Sequence, residues 1–298
     1  MKYSKPALTF DEQADQLLAR GLVADRSELL ARLQSVSYYR LSAYWYPFRL
    51  PDASVFQEGT TLREVWRRYT FDRHLRLVVL DAVERVEVSV RTELTYALAH
   101  EQGPFGYLQA NNLPNLPPDK YREFLDQLAR ECANSREHFM AHFYNRYGDE
   151  HEYPPYWMVT ELMTFGMLLT LYRGSPRDIK KRIATRFGVA DPVFESWLRA
   201  LNGVRNICAH HGRLWNRELG YEPLIPKRDR RWHDPVEVTG KRVFGILTIL
   251  MFLLDEIAPE SRWPQRLQEL LDQYRDVPTE LMGFPDAWER CPIWGSKN

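Results

Sequence analysis

Apolar residues recur along most of this chain at intervals of three or four residues, which is the spacing of helices with one buried face. The longest such pattern covers 60–100, where the apolar stripe runs through Val79, Val83, Val86, Val90, Leu94 and Ala97. Shorter helical patterns cover 10–20, 27–33, 120–146, 157–172, 176–187, 239–257 and 262–274. Proline-rich breaks separate several of them, and no convincing alternating strand pattern is present. The pattern therefore predicts an all-α helical bundle.

The stretch DPVFESWLRALNGVRNICAHHGRLWNR, at 191–217, holds the candidate chemistry. Asp191 and Pro192 predict the start of a helix, as N-cap and first helical residue. Gly212 predicts its end, as a residue of left-handed conformation. Apolar residues between these points recur at helical spacing, so we expect one face of the helix to be buried.

Four polar residues interrupt that apolar pattern near its end: Arg205, Asn206, His210 and His211. Asn206 and His210 are four residues apart, so they share one helix face. A fixed guanidinium charge, an amide and a titratable imidazole at one helix end can together bind a phosphate and transfer a proton. On a straight helix Arg205 and His210 point about 140° apart. Two facing helices therefore hold a single phosphate more easily than one helix does.

The pattern Arg205-Asn206-x-x-x-His210 resembles the Arg-x(4–6)-His motif of HEPN ribonucleases. The surrounding VRNICAHHGRLWNR, together with SYYRLSAYWYPFR near the N-terminus, resembles the Abi-type abortive infection proteins of bacteria, the AbiD/AbiF-like family. The likeness covers roughly 18–226. It implies a HEPN-like helical bundle that forms a homodimer, in which two motif helices build one composite cleft.

The resemblance also implies a metal-independent endoribonuclease that acts as a toxin-like effector of phage defence, with an antitoxin or a bound RNA as its restraint. The ribose 2′-OH would attack the adjacent phosphate. His210 would serve as general base or acid, since its reference pKa is about 6.5. Arg205 would stabilise the phosphorane charge, Asn206 would orient the phosphate or His210, and His211 is an auxiliary candidate. No cofactor or metal is expected.

The polar side of the long helix holds two pairs at ion-pair spacing, Asp72 with Arg76 and Glu87 with Arg91. Each pair is interpreted as part of a solvated face or of a salt-bridge network between helices, and a pair that is exposed contributes only about a few tenths of a kcal/mol. Glu87 and Arg91 have a second interpretation, in which either of them lines the cleft beside Arg205. Structural ion pairs are commoner than functional ones, so the first interpretation is favoured.

The domain prediction is one HEPN-like helical domain over 1–298. It consists of a helical and aromatic extension at 1–58, a core bundle with the motif at 59–226, and C-terminal helices at 227–298. The aromatic segment SYYRLSAYWYPF, at 37–48, is interpreted as a wedge packed on the bundle, in preference to a platform that stacks RNA bases. The helices before it are interpreted as packing elements, in preference to a DNA-binding pair.

Net charge is zero, with 40 basic and 40 acidic side chains, so any nucleic-acid binding must use local basic patches. Two such patches flank the motif, and we expect them to contact RNA: Lys180, Lys181, Arg182 and Arg186 in the first, and Lys227, Arg228, Arg230 and Arg231 in the second. The three cysteines are odd in number and unpaired in spacing, which indicates a reducing compartment and no zinc site. The N-terminus lacks the apolar run of a signal peptide, and 244–254 is too short to span a bilayer. We expect a soluble, cytoplasmic protein without a membrane partner.

Two further hypotheses remain open beside the ribonuclease. In the first, the chain is a non-catalytic RNA-binding or regulatory module of a defence or toxin–antitoxin system, and Arg205, Asn206 and His210 only contact phosphate. In the second, these residues are structural, with Arg205 and His210 satisfied by acids such as Glu87.

Overall fold

The computed structural model describes residues 2, 6–51 and 53–295. Within that part of the chain the fold is all-α, as predicted, and its only extended pairings are two isolated bridges. Thirteen α-helices are present there: α1 Phe10–Ala19, α2 Arg26–Val36, α3 Tyr38–Trp45, α4 Leu62–Gln102, α5 Pro118–Asn134, α6 His138–Tyr147, α7 Tyr156–Leu162, α8 Phe165–Gly174, α9 Arg177–Arg186, α10 Asp191–Ala209, α11 Val243–Ile257, α12 Trp263–Gln273 and α13 Pro292–Gly295.

The long helix α4 is the axis of the fold. Thr61 caps its start: the Thr61 hydroxyl accepts from the N–H of Glu64, and the Glu64 carboxylate accepts from the N–H of Thr61. The predicted stripe from Val79 to Ala97 is confirmed, since each of its six members is at most 4% exposed. Helices α3, α7, α10, α11 and α12 pack against α4. The motif helix α10 is therefore held along the central helix, within the main core.

Two predicted helical stretches are each divided in two. The 120–146 pattern becomes two helices, α5 and α6. The prediction of one helix over 157–172 is wrong, because α7 ends at Leu162 and α8 begins at Phe165. Thr164 forms the new N-cap, and its hydroxyl accepts from the N–H of Met167 at 3.3 Å. A strong local N-cap thus interrupts a pattern that remains apolar on both sides.

The predicted start of α10 is wrong by one residue. Ala190 is the N-cap, and Asp191 and Pro192 occupy the first two helical positions. The Asp191 carboxylate accepts a hydrogen bond from the Tyr172 hydroxyl at 2.8 Å. Asp191 therefore joins α10 to α8 and does not cap its own helix.

The aromatic segment is divided between the core and the surface. Leu41, Tyr44 and Trp45 of α3 are at most 1% exposed, which confirms the predicted wedge for the inner face of this helix. Tyr39 is 88% exposed and Tyr46 is 69% exposed. The outer face therefore presents two aromatic rings to solvent.

The C-terminal elements complete the core. Helix α11 is buried over most of its length, and the Trp294 indole N–H donates to the Thr248 hydroxyl at 2.9 Å. All three cysteines are buried and carry free thiols. Among the helices of the described residues, none combines the length and the apolar character that crossing a membrane requires.

Candidate functional site at the C-terminal end of α10

Helix α10 ends in a Schellman motif, one residue earlier than predicted. The N–H of Gly212 donates to the Ile207 carbonyl at 2.8 Å, and the N–H of His211 donates to the Cys208 carbonyl at 3.0 Å. The expectation that Gly212 adopts the left-handed conformation is wrong, because His211 does so, with φ of 58°. Gly212 is favoured for another reason: a Cβ there would lie 3.2 Å from the Ile207 carbonyl oxygen. The tight turn thus places a strained histidine next to His210.

The motif residues occupy the end of α10 and the turn that follows it. Arg205 is half-buried, whereas Asn206, His210 and His211 are exposed. The Arg205 guanidinium donates to the Asn206 side-chain oxygen, Nη1 to Oδ1, at 3.4 Å. Across the described ranges, Arg205 forms no ion pair, and neither imidazole forms a hydrogen bond. One solvent-facing helix end therefore carries a guanidinium, an amide and two imidazoles.

Glu87 lies near Arg205 but is paired with another cation. Its Oε1 accepts from Arg91 Nη2 at 2.9 Å, and both side chains are about 15% exposed. Burial raises the pKa of Glu87, and the positive charges of Arg91 and Arg205 oppose that shift. Arg91 also donates to the carbonyls of Glu161 and Met163, at 3.3 and 3.1 Å, so it holds the break between α7 and α8. The charge of Arg205 thus acts on Glu87, whereas Arg91 holds the backbone between α7 and α8 in place.

A buried carboxylate lies beneath the motif turn. Asp72 is fully buried and Arg76 is 5% exposed, so the prediction that this pair lies on the polar side of α4 is wrong and the alternative of a network between helices is confirmed. Asp72 Oδ1 accepts from the backbone N–H groups of Leu214 and Trp215, at 2.9 and 2.5 Å. Its Oδ2 accepts from the Tyr44 hydroxyl at 2.6 Å and from Arg76 Nη1. One carboxylate therefore joins α3, α4 and the chain that follows the motif.

The electrostatics of Asp72 are set by two opposing effects. Burial raises its pKa, while the Arg76 charge, the two backbone N–H groups and the Tyr44 hydroxyl favour the ionised form. The sequence did contain a signal for its burial. Asp72 stands seven residues before Val79, and Arg76 stands seven before Val83, so both continue the apolar stripe backwards along α4.

Two arginines join α3 to the motif turn in opposite directions. Arg40 of α3 donates to the His211 carbonyl at 2.6 Å, Nη1 to O. Arg213 donates in return to the Ala43 carbonyl, also at 2.6 Å. These contacts bridge about 170 residues of sequence. The two segments that are far apart in the chain and carry the family resemblance therefore form one structural unit.

The basic patch on α9 is largely neutralised. Lys180 is only 9% exposed, and its Nζ lies 2.7 Å from Glu195 Oε2 and 3.5 Å from Asp191 Oδ2. Two more of its cations form ion pairs with α4: Arg182 with Glu101 at 2.6 Å and Arg186 with Glu93 at 3.8 Å. Lys181 is exposed and forms no ion pair within the described part of the chain. Lys181 is therefore the member of this patch that is most open to an external anion.

The second patch is similarly divided. Its last two arginines form ion pairs, Arg230 with Asp234 at 2.5 Å and Arg231 with Asp229 at 2.7 Å. Lys227 and Arg228 are exposed, and neither forms an ion pair with the residues described. Among those residues, no group of three or more His, Cys, Asp or Glu side chains is arranged to hold a metal ion. Among the predicted motif and patch residues, those whose cation forms no ion pair in the described structure are therefore Arg205, Lys181, Lys227 and Arg228.

Comparison with known proteins gives one match. The model of the family described as Abi-like protein matches residues 31–216. The matched part begins within α2, contains the aromatic helix α3 and the Asp72 network, and ends directly after the α10 turn. Neither the search of curated proteins nor the search of solved structures gave a match.

Proposed function

Since the chain belongs to the family of Abi-like proteins, we propose that it is a metal-independent endoribonuclease of the HEPN type. Membership of this family indicates a role in abortive infection, a form of phage defence. In the proposed role, the protein is a toxin-like effector that cuts cellular RNA and is restrained by an antitoxin or a bound RNA. The site of cleavage is the exposed end of α10.

The observation that carries this proposal is that Arg205 has no ion-pair partner among the described residues and that His210, five residues later, is exposed. A half-buried arginine without a carboxylate partner in the described structure is available to a phosphate, and its planar fork can bind two phosphate oxygens. Asn206 lies 3.4 Å from that guanidinium and orients it or the phosphate. Arg205 then stabilises the negative charge that grows on the phosphorane.

His210 carries out the proton transfers. A neutral imidazole removes the proton of the ribose 2′-OH as this oxygen attacks the adjacent phosphorus. A protonated imidazole supplies a proton to the departing 5′-oxygen. The products are a 2′,3′-cyclic phosphate and a 5′-OH end, and no metal takes part. His211 is the nearest candidate for the second imidazole within one chain, and His210 of a second copy is the other.

The homodimer is part of the same proposal. His210 follows the last helical residue, so its side chain is directed by a turn and is not fixed by the helix. A second α10 facing the first brings another Arg205 and another His210 to one composite cleft, which supplies both the acid and the base. The exposure of all three outer motif residues is compatible with such a cleft.

A non-catalytic RNA-binding module is the second candidate, because the same exposed residues can contact phosphate without cutting it. The structural hypothesis is less well supported. Its expected partner for Arg205, the carboxylate of Glu87, forms its ion pair with Arg91.

Purified protein incubated with end-labelled single-stranded RNA in EDTA tests the proposal. The wild type should cut the RNA, and Arg205→Ala and His210→Ala should each lower the rate at least a hundredfold, about the loss typical of one catalytic group. Arg199→Ala is the matched control, since Arg199 is an exposed arginine of the same helix that stacks on Tyr221 at 4.0 Å. Equal losses of cleavage rate in the control and in the motif variants would refute the assignment of the site. Tight RNA binding without cleavage would establish the second candidate.

RNA contact by the open cations has its own test. The double variant Lys227→Ser with Arg228→Ser should bind RNA more weakly. The slope of log affinity against log salt concentration should fall by up to about 1.4, which corresponds to the loss of two phosphate contacts in single-stranded RNA. Lys180→Ser should leave that slope unchanged, because the Lys180 charge is already paired with Glu195. An unchanged slope in the double variant would remove this surface from the proposal.

A further inference from the structure

A cleft of about 940 Å³ lies at the opposite end of α10 from the motif. It is bounded by the first turns of α5 and α10, by one side of α9 from Arg177 to Thr185, and by the last turn of α8. Asp191 lines it, and Asp191 is 14 residues before Arg205, so the two places are about 21 Å apart along the helix. The cleft is therefore separate from the candidate ribonuclease site.

The lining of this cleft carries an excess of three positive charges. Five cations face it against two carboxylates: Lys120, Arg173, Arg177, Lys180 and Lys181 against Asp191 and Glu195. Both carboxylates are already engaged, because Lys180 bridges them and Arg173 lies 3.2 Å from Glu195. In the described part of the chain, Arg177 and Lys181 form no ion pair, although both are exposed at this cleft. Two cations in a concave site are thus left for an external anion.

The backbone adds to this positive potential. Two helices of 17 and 19 residues start at the cleft, namely α5 and α10. Their N-cap residues, Pro117 and Ala190, both line it, and no side chain forms a capping hydrogen bond at either. Uncapped helix starts carry partial positive charge, which supplements the unpaired side chains.

We propose that this cleft binds a small anion that carries several phosphates, either a nucleoside triphosphate or an inorganic polyphosphate. Its volume is within the range of about 300–1,000 Å³ that is typical of small-molecule sites. A polymeric RNA would be better served by an open row of cations than by a concave site whose remaining basic groups are paired internally. Leu116, Pro117 and Pro192 give the cleft an apolar part that can contact a nucleoside. The proposal does not depend on the ribonuclease activity.

Isothermal titration calorimetry of the full chain with tripolyphosphate, and separately with ATP, tests this inference in magnesium-free buffer. The test variant is Arg177→Ser with Lys181→Ser, and the matched control is Arg262→Ser with Arg290→Ser, which removes the same charge at two exposed residues that the proposals do not use. We expect saturable binding of tripolyphosphate that weakens at least tenfold in the test variant and less than twofold in the control. ATP that binds tenfold more tightly than tripolyphosphate identifies a nucleotide site, and equal affinity identifies a polyphosphate site.

Several results would overturn the proposal. The first is that tripolyphosphate shows no saturable binding to a wild type whose circular dichroism and melting temperature show that it is folded. The second is that the test variant and the control variant lose affinity equally. The third is that short RNA at stoichiometric concentration displaces tripolyphosphate. Arg177→Lys with Lys181→Arg keeps both charges and should retain binding, so a loss there as well would also count against it. Arg205→Ala with His210→Ala should bind tripolyphosphate as the wild type does. Failure of the ribonuclease proposal is thereby distinguished from failure of this one.

Discussion

Replacement of Asp72 by alanine tests the claim that one buried carboxylate supports the motif turn. The change removes the partner of Arg76, which is 5% exposed, and of three further donors: the Tyr44 hydroxyl and the N–H groups of Leu214 and Trp215. Breaking a buried ion pair from one side costs about 3–5 kcal/mol. Each buried donor left without a partner adds about 1 kcal/mol or more, unless water enters.

The free energy of unfolding should therefore fall by about 6–8 kcal/mol, a large part of the roughly 5–15 kcal/mol typical of a folded protein. With an unfolding entropy of about 0.6 kcal/mol per kelvin for a chain of this length, the melting temperature should fall by about 10–13 °C. Urea unfolding and differential scanning calorimetry measure the two quantities. The stability of Asp72→Asn should lie between those of Asp72→Ala and the wild type, since an amide keeps one acceptor but loses the charge.

Asp81→Ala is the matched control, because Asp81 is also an aspartate of α4 that forms ion pairs. Its partners are Arg85 at 3.5 Å and Arg266 at 3.0 Å, but its side chain is 27% exposed. Pairs in contact with water contribute about 1 kcal/mol or less. If Asp72→Ala and Asp81→Ala destabilise the protein equally, the Asp72 network does not have the structural importance assigned to it.

Three other contacts give smaller predicted effects. His211→Gly should stabilise the protein by up to about 1 kcal/mol, since glycine adopts the left-handed conformation freely, whereas His211→Val should destabilise it; the reverse order in urea unfolding would refute the strain. Arg40→Ala should lower stability by about 1 kcal/mol and speed proteolysis at the motif turn, because it frees the His211 carbonyl; unchanged proteolysis would show that this contact does not hold the turn. The hydrogen bonds from Arg67 lower the pKa of Asp276, so this pair stabilises the fold above the unfolded pKa of about 3.9 and loses its effect as pH falls through the lower folded value. The difference in urea midpoint between the wild type and Arg67→Gln should be constant from pH 7 to 5 and vanish in strong acid, and a difference that grows on acidification would contradict the assignment.

The fold was largely predictable because its helices follow a simple apolar spacing. The stripe of α4 from Val79 to Ala97 is buried as expected, since a helix packed along its length needs only one continuous apolar face. The errors occur where a local polar contact outweighs that spacing. Thr164 caps a new helix inside an apolar run, and Asp191 bonds to Tyr172 where a helix cap was expected. These contacts cannot be predicted from the apolar spacing alone.

The candidate site was only partly predictable. Arg205, Asn206 and His210 could be placed at one helix end because they are neighbours in sequence. The support beneath them could not be found in this way, because Asp72 reaches Leu214 and Trp215 across more than 140 residues. The spacing of Asp72 from Val79 indicates its burial, but its hydrogen-bond partners become visible only once the chain is folded. The same is true of charge: whether a cation is open to RNA depends on tertiary partners that composition does not reveal.

The most direct measurement of the central claim is the cleavage of an RNA in which one hydroxyl has been removed. The cut position is first mapped on an all-ribose strand in EDTA, and a single 2′-deoxynucleotide is then placed on the 5′ side of that position. The wild type should cut the all-ribose strand, leaving a 2′,3′-cyclic phosphate and a 5′-OH, and should leave the substituted position intact; His210→Ala should cut neither strand. Cleavage at the 2′-deoxynucleotide, or undiminished cutting by His210→Ala, would contradict the account.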